Sequence, residues 1–371
     1  MPSAITLLVG GKLYGGWEDV SVTRSIDAAS GAFALTITER WAGNRETPWP
    51  IAPGDACEIR ADDEVLIAGY VDIFAPSFDA STHRINIQGR DKTADLIDCS
   101  AVHSPDEWRN FTVLDLARVL CAPFGISVSV SPGVDIGAAF PVCKIQQGES
   151  VFDALDRHCR LRKLLLTADG SGGLLITSVG IERATSALIQ GKNILAATGS
   201  IDASERFSDY TVKAQSAYSE DSTGETEAHI TGSVKDSAIK RYRPLLVIAE
   251  GGGSSKTATD RAVWECNTRI GRAAQAALVV QGWRQKSGAL WKPNLLVAVQ
   301  SDWLRMSGDM LIRQVTFQQT LGSGTTATID LVSPLTYLPE PPDPEREQAK
   351  TGGGKSKRGG SGINWEEVLN G

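Results

Sequence analysis

The chain has 371 residues, more than one hydrophobic core ordinarily serves, so about two to four domains are expected. Its 42% hydrophobic content is that of a globular chain, and a net charge of −7 speaks against a general nucleic-acid binder, which needs a surplus of Lys and Arg on some face. The opening MPSAITLLVGGKLYGGW has no basic start, and no later stretch reaches the roughly 18 apolar residues of a spanning helix, so neither a signal peptide nor membrane insertion is expected.

From Ile5 to Gln88 the chain reads as strands and turns: Ile5–Val9, Val20–Ile26, Ala32–Trp41, Ala56–Arg60, Val65–Phe74 and Thr82–Gln88. Short alternating strands with turns such as GGKLYGG and ADDE predict a closed or nearly closed β-barrel over residues 1–90. The last two strands fold back on each other through the polar turn PSFDAS. Gly89-Arg90-Asp91 then switches the pattern, with Asp91 placed to cap a short helix whose apolar side is Ala94, Leu96 and Ile97.

Residues 91–192 read as a small α+β domain. Phe111–Phe124 has helical spacing and ends at Pro123-Phe124-Gly125, and Ile126–Val130 is a short strand. Ser150–Arg162 is a second helix with Ser150 as its cap, Val151, Ala154, Leu155 and Cys159 inside, and Asp153, Asp156, Arg157 and Arg160 outside. Strands Leu164–Thr167 and Gly173–Thr177 close the domain around a DGSGG turn.

Strands return over residues 193–338, at Phe207–Ala217, Ala228–Ser233, Arg241–Ala249, Ala277–Trp283, Asn294–Gln300, Met310–Gln319 and Thr325–Val332. One helix, about Lys256–Ala276, follows a flexible Gly251–Ser255 hinge, and the acidic Ser219–Glu227 reads as a mobile loop. This second β-barrel or β-rich domain suggests duplication of the first, although no repeat is visible in the sequence. Residues 339–371 are Pro-rich, then charged, then Gly-rich, and cannot build a core. They end in INWEEVLNG, where Ile363, Trp365, Val368 and Leu369 have near-helical spacing. A tether ending in a hydrophobic clip suits partner capture, and a frayed tail is the bland alternative.

The stretch GYVD followed by I-x-I-x-GRDKTADLIDCSAV resembles the baseplate hub protein of Mu-like contractile-tailed phages. So do Val20–Ile37 (VSVTRSIDAASGAFALTI), Ala117–Val128 (ARVLCAPFGISV), Glu205–Lys213 (ERFSDYTVK), Arg241–Ala249 (RYRPLLVIA), and Gly282-Trp283 with Leu290–Val297 (LWKPNLLV). The resemblance implies a mainly β chain in which two β-barrel domains flank the α+β domain, with three copies forming a trimeric ring of quasi-sixfold symmetry. It further implies a virion protein of the tail baseplate, made in the host cytoplasm. Its partners would be the tail tube protein above, the spike protein below and other baseplate proteins, and DNA would pass through the lumen without specific binding. An acidic lumen would let DNA slide.

Candidate sites are few. Arg90, Asp91 and Lys92, with Asp95 and Asp98, form either a solvated face with weak ion pairs or a subunit joint in which the planar fork of Arg90 binds a carboxylate. Ile363, Trp365, Val368 and Leu369 are the second candidate interface. The four histidines, His83, His103, His158 and His229, fall on separate elements, and no hydrolase or metalloprotease motif gathers them. His158 and Cys159 point about 100° apart on a helix, so a core cysteine beside an exposed histidine is expected rather than a metal site. The six cysteines (Cys57, Cys99, Cys121, Cys143, Cys159 and Cys266) form no C-x-x-C pair and read as small buried apolar residues. GGGSSKT has Ser255 before Lys256 and Glu250 where the first glycine of a phosphate loop belongs, so it is not a nucleotide site. Trp283, Trp291 and Trp303 are core candidates first and interface candidates second. No catalytic residue, metal or cofactor is expected. A tail-associated cell-wall hydrolase and a carbohydrate-binding module are the alternatives to a structural hub.

Overall fold

This computed structural model describes residues 5–38, 50–80, 82–180, 182–214, 230–249, 255–338 and 341. The first part of the chain contributes β1 (Ile5–Val9), β2 (Lys12–Tyr14), β3 (Asp19–Ser25), β4 (Ala32–Thr38), β5 (Ala56–Ala61), β6 (Glu64–Phe78) and β7 (His83–Asp91). After them come α1 (Ala94–Asp98), β8 (Glu107–Phe111), α2 (Val113–Cys121), β9 (Val128–Val130), β10 (Phe140–Lys144), α3 (Val151–Arg160), β11 (Leu165–Ala168) and β12 (Leu174–Thr177). The remainder holds β13 (Glu182–Arg183), β14 (Leu188–Ile189), β15 (Ile194–Ile201), β16 (Asp209–Ala214), β17 (Ile230–Lys235), β18 (Pro244–Ile248), α4 (Ser255–Ala273), β19 (Ala274–Gln281), β20 (Leu295–Ser301), β21 (Met306–Thr320) and β22 (Gly324–Val332).

The chain is mainly β, and its first and last strands share one sheet. Fourteen strands join in the order β15-β19-β22-β21-β3-β4-β7-β6-β5-β1-β2, with β20 also on β21 and β13 and β14 on β20. Two closed barrels are therefore not what forms: among the described residues no ladder joins the two ends of this path, and β3 pairs with β21 instead of closing its own half. The reason is physical. A strand edge with unpaired N–H and C=O groups is satisfied equally well by a partner about 290 residues away as by a near one, and nothing local in the sequence distinguishes them.

The sheet repeats itself. Its first half runs β3-β4-β7-β6-β5-β1 and its second β15-β19-β22-β21-β20, with β13 and β14 where β1 stands. Both halves centre on a 15-residue strand, β6 or β21. Each such strand is shared between two partners of its own half, β21 also taking β3, and carries a bulge near its middle, between Val71 and Ile73 in β6 and between Ile312 and Gln314 in β21. A bulge kinks a strand and increases its twist, which lets each half roll over its own apolar side. Leu7, Val22, Leu35, Ile59 and Ile87 of the first half, and Leu278, Val315, Phe317 and Ile329 of the second, lie in one continuous buried cluster. The halves differ in one respect: β1 runs antiparallel to β5, whereas β13 and β14 run parallel to β20.

Gly69 and Gly89 explain part of this geometry. A Cβ on Gly69 would stand 1.8 Å from the Arg90 carbonyl oxygen, and one on Gly89 would stand 2.1 Å from that of Tyr70. Strands β6 and β7 cross too closely there for any side chain, as expected where one backbone closely approaches another. The strand also outlasts its expected end. β6 runs on through Ala75-Pro76-Ser77-Phe78, and the turn is the shorter Asp79–Thr82, where Asp79 N donates to Thr82 O at 2.9 Å.

The α+β module has its own core, with Leu116, Leu120, Leu155, Leu174 and Ile176 at its centre. Thr112 caps α2 in a reciprocal box with Asp115, and Ser150 caps α3 through the Asp153 N–H. The antiparallel pair of β8 and β10, with α2 and β9 between them in the chain, was not legible in the sequence. A second compact unit spans residues 207–266. In it β16 lies between antiparallel β17 and parallel β18, over Val212, Ala258 and Ala262. Gly232 is required there, since a Cβ would come 2.2 Å from Thr259 N.

Candidate interaction surfaces

The two halves of the sheet are stitched at the β3–β21 seam, whose register runs from Gln314 opposite Ser25 to Thr320 opposite Asp19. Ile26 N donates to Arg313 O at 3.0 Å, so the ladder's hydrogen-bonded pairs are Val315 with Arg24, Phe317 with Val22, and Gln319 with Val20. The intervening residues form the close pairs, and Thr23 meets Thr316 Oγ1 to Oγ1 at 3.2 Å. Val22 and Phe317 are fully buried on the core side, where Phe317 packs edge-on against Trp283 at 5.7 Å. Arg284 adds a clasp from the second half to the first, donating to Glu64 at 2.8 Å and Asp62 at 3.3 Å.

The other face of the same strands is a belt of hydroxyls and amides. Asn86 Nδ2 donates to Thr36 at 3.0 Å, Gln88 Nε2 to Asn86 at 2.7 Å, Gln314 Nε2 to Asp330 at 3.1 Å, and Thr328 Oγ1 to Gln318 at 3.4 Å. Ser21 and Thr23 continue it through the seam. Side-chain amides and hydroxyls, together with the Asp330 carboxylate and with Arg84 and Arg90 on the same face of β7, present a polar surface with charges of both signs.

Of the residues singled out in the sequence, Arg90 bridges two carboxylates of its own chain, Asp72 at 2.7 Å and Asp98 at 2.8 Å. Those hydrogen bonds, that to Asp72 foremost, hold its charge more firmly than usual. Asp91 is not a helix cap. It ends β7 fully buried, its Oδ1 accepting from Thr93 N at 3.2 Å and Thr93 Oγ1 at 3.1 Å, and Thr93 takes the cap position of α1. Burial pushes the Asp91 carboxyl up to about 6, the Thr93 hydrogen bonds pull the other way, and its Oδ2 has no hydrogen-bond partner. Asp91 shares a small pocket with half-buried Arg24 and buried Thr167 and Ala168. Lys92 continues the chain beyond it, its side chain close to Gly172. Ile363, Trp365, Val368 and Leu369 lie outside the described residues, as do the Gly251–Ser254 part of the hinge, the acidic loop and His229.

Three expectations need correction. His158 is buried rather than exposed: Nδ1 lies 2.7 Å from the Ala154 carbonyl and the ring meets Phe140 edge-on, and burial lowers its pKa. Cys99 is exposed, while the other five cysteines are buried. Trp283 and Trp291 are core residues, but Trp303 stands 86% exposed.

Two free strand edges were missed by sequence reading. Among the described residues, β15 pairs only with β19, and β6 from Asp72 to Phe78 pairs only with β7. Both stretches are almost wholly exposed and carry apolar side chains into solvent: Ile73, Phe78 (83% exposed), Leu195 and Ile201 (55%).

Comparison with known proteins bears on these surfaces. Residues 4–91 match the family "Mu phage baseplate assembly protein GpP-like, N-terminal", residues 93–178 "Baseplate hub protein gp44-like, second domain", and residues 254–340 "Mu phage baseplate assembly protein GpP, fourth domain". Baseplate hub protein gp44 of Escherichia phage Mu is 33% identical over 358 residues, covering 95% of this chain and 93% of that one. The 43 kDa tail protein of prophage MuSo2 from Shewanella oneidensis is 37% identical with a TM-score of 0.79, covering 91% of this chain and 100% of that one. A tail protein from Neisseria meningitidis MC58, 22% identical, shares the fold with a TM-score of 0.73 over 92% of this chain and 99% of its own. With a duplicated sheet stitched by a long-range seam and 33% identity to the Mu hub over 95% of its length, this chain belongs to the family of Mu-type phage baseplate hub proteins.

Proposed function

We propose that this hub acts as a symmetry adaptor, three copies forming a ring in which two like halves per chain present six similar faces. The tail tube protein, sixfold, would bind above, the threefold spike protein below, and other baseplate proteins around it. The observation that carries the reading is the repeated strand order, β3-β4-β7-β6-β5 in one half and β15-β19-β22-β21-β20 in the other. A chain containing the same unit twice makes a hexagon-like collar from three copies, because closed rings arise when one surface meets a different surface head to tail.

The polar belt around Thr36, Asn86, Thr316 and Gln318 suits a lumen lining past which DNA slides. An acidic lumen would let DNA slide, and the hydroxyls and amides of this belt would add to a non-adhesive surface. The work is geometric and involves no chemistry. Arg90, the anchor of the Arg90, Asp91 and Lys92 stretch, would brace the ring's joint by holding Asp72. The segment Ile363, Trp365, Val368 and Leu369 would dock on a neighbouring hub or on the spike, with Trp365 as anchor. Deleting residues from Thr351 onward tests that docking: weaker particle assembly with an intact ring is expected, and unchanged assembly excludes it.

Sedimentation equilibrium of the purified chain tests the ring. Three-chain particles are expected at micromolar concentration, and a monomer that binds neither tube nor spike protein contradicts the reading. A peptidoglycan-clearing assay addresses the hydrolase alternative, and no clearing is expected.

A further inference from the structure

The seam inside one chain has two half-matched counterparts at its free edges. In the repeated order, β3 of the first half corresponds to β15 of the second, and β21 of the second half corresponds to β6 of the first. Edge strand β3 is seated on the distal part of β21, beyond its bulge. Among the described residues, edge strand β15 has no such seat, and the distal part of β6, beyond its own bulge, has no such guest.

We propose that β15 of one copy pairs antiparallel with Asp72–Phe78 of β6 in the next copy, in the register of the β3–β21 seam. This rests on the ring reading and adds to it the strands, the direction and the register. Ladder positions fix the register. Val71 pairs with Gly89 as Ile312 pairs with Leu331, so Phe74, Ala75, Pro76 and Phe78 occupy the places of Val315, Thr316, Phe317 and Gln319. On the guest strand, Val20 lies opposite Leu35 as Ala197 lies opposite Leu278, so Ala197, Gly199, Ser200 and Ile201 occupy the places of Val20, Val22, Thr23 and Arg24. In the intermolecular ladder Phe74 therefore faces Ile201, Ala75 faces Ser200, Pro76 faces Gly199, and Phe78 faces Ala197.

The chemistry of these pairs fits. Phe74, Phe78, Ala197 and Ile201 fall on the side that is core in the seam, so the exposed Phe78, Ala197 and Ile201 and the half-buried Phe74 would have their remaining apolar surface covered. Ala75, Ser77, Thr198 and Ser200 fall on the side of the hydroxyl and amide belt and extend it. Pro76 lies at a hydrogen-bonding position and gives no N–H, so the ladder is one donor short, while its carbonyl still accepts. The pyrrolidine ring then meets Gly199, the guest residue with no side chain to obstruct it. Because the two surfaces differ, the contact is head to tail, the kind that closes rings or runs on into filaments.

A paired-cysteine experiment tests the register. Ala75 and Ser200 correspond to the close Thr316 and Thr23 pair, whose side chains meet in the seam, and facing Cβ atoms at that spacing can form a disulfide. The full-length chain carrying Cys99→Ser, Ala75→Cys and Ser200→Cys is oxidised, run on a non-reducing gel, and weighed by native mass spectrometry. Covalent two- and three-chain species are expected, at least tenfold more abundant than with Ala75→Cys paired instead with Ile201→Cys, which is one residue out of register and faces the other side. Three-chain particles by native mass without the covalent link overturn this joint and leave the ring standing. Monomers without a link overturn both. As a second measurement, Phe78→Glu, a change at an exposed position, should weaken self-association at least tenfold with an unchanged melting temperature; unchanged association overturns the joint.

Discussion

Thr23 and Thr316, separated by 293 positions in the chain, touch through their hydroxyls at 3.2 Å across the line where the two halves of the sheet meet. That contact lies on the β3–β21 ladder that makes one sheet out of two like halves, and it is the geometry that the free edges of β6 and β15 would reproduce between copies.

Joining the pair covalently should therefore be tolerated. Thr23→Cys with Thr316→Cys is expected to form a disulfide within one chain under oxidation, leaving mass per particle unchanged and raising the melting temperature. Closing so long a loop is worth about 2–5 kcal/mol by chain-entropy reasoning. Failure to oxidise in the folded protein would mean that β3 and β21 are not paired in this register.

Truncating the seam's core residue should be costly. Phe317 is fully buried against Trp283, and Phe317→Ala is expected to lower stability by about 3–5 kcal/mol. Urea unfolding of the two proteins measures this. A loss below about 1 kcal/mol would place Phe317 outside the core.

Gly89→Ala should destabilise by about 2 kcal/mol or more, since the added methyl would meet both the Tyr70 carbonyl and the Phe33 ring. Thermal melts compare it with Ala75→Gly, a change at an exposed β6 position. Equal melting temperatures would rule out the close crossing of β6 and β7.

Asp91 should make stability fall as pH rises. Its folded-state pKa of about 6 exceeds the ordinary carboxyl value of 3.8, so between those values the folded chain holds a proton that the unfolded chain has released. The cost accumulates through that window and is complete above pH 6, at roughly 3 kcal/mol for a shift of about two pKa units. Asp91→Asn keeps an oxygen to accept from Thr93 and removes the charge. It should melt higher than the parent at pH 7.5, with the difference closing toward pH 4. A difference that does not vary with pH would show that Asp91 is not the buried, charge-penalised group described.

Much of the fold was legible wherever one face of an element is buried. β1, β5, β22 and the helices α2 and α3 follow from alternation, helical spacing and the Ser150 cap, because burial of one face imposes a period on the sequence. β15 was not legible: ILAATGSI is exposed along nearly its whole length, so no period marks it. The Ala75–Phe78 extension of β6 read as a turn because Pro and Ser are turn residues, yet an edge strand tolerates both. His158 read as exposed because it is polar, whereas a hydrogen bond to a helical carbonyl lets an imidazole be buried. Duplication was suspected but could be established only from strand order, since β3 and β15 share a place in the sheet without sharing residues. Arg90 drew notice as a cation near carboxylates, but which carboxylates it holds depends on how β6, β7 and α1 come together.

Electron-microscopy class averages of the purified chain, viewed down the particle axis, test the central claim most directly. Rings with three chains and six similar lobes around an open centre are expected. Single particles with no axis, or rings of a different order, would contradict it.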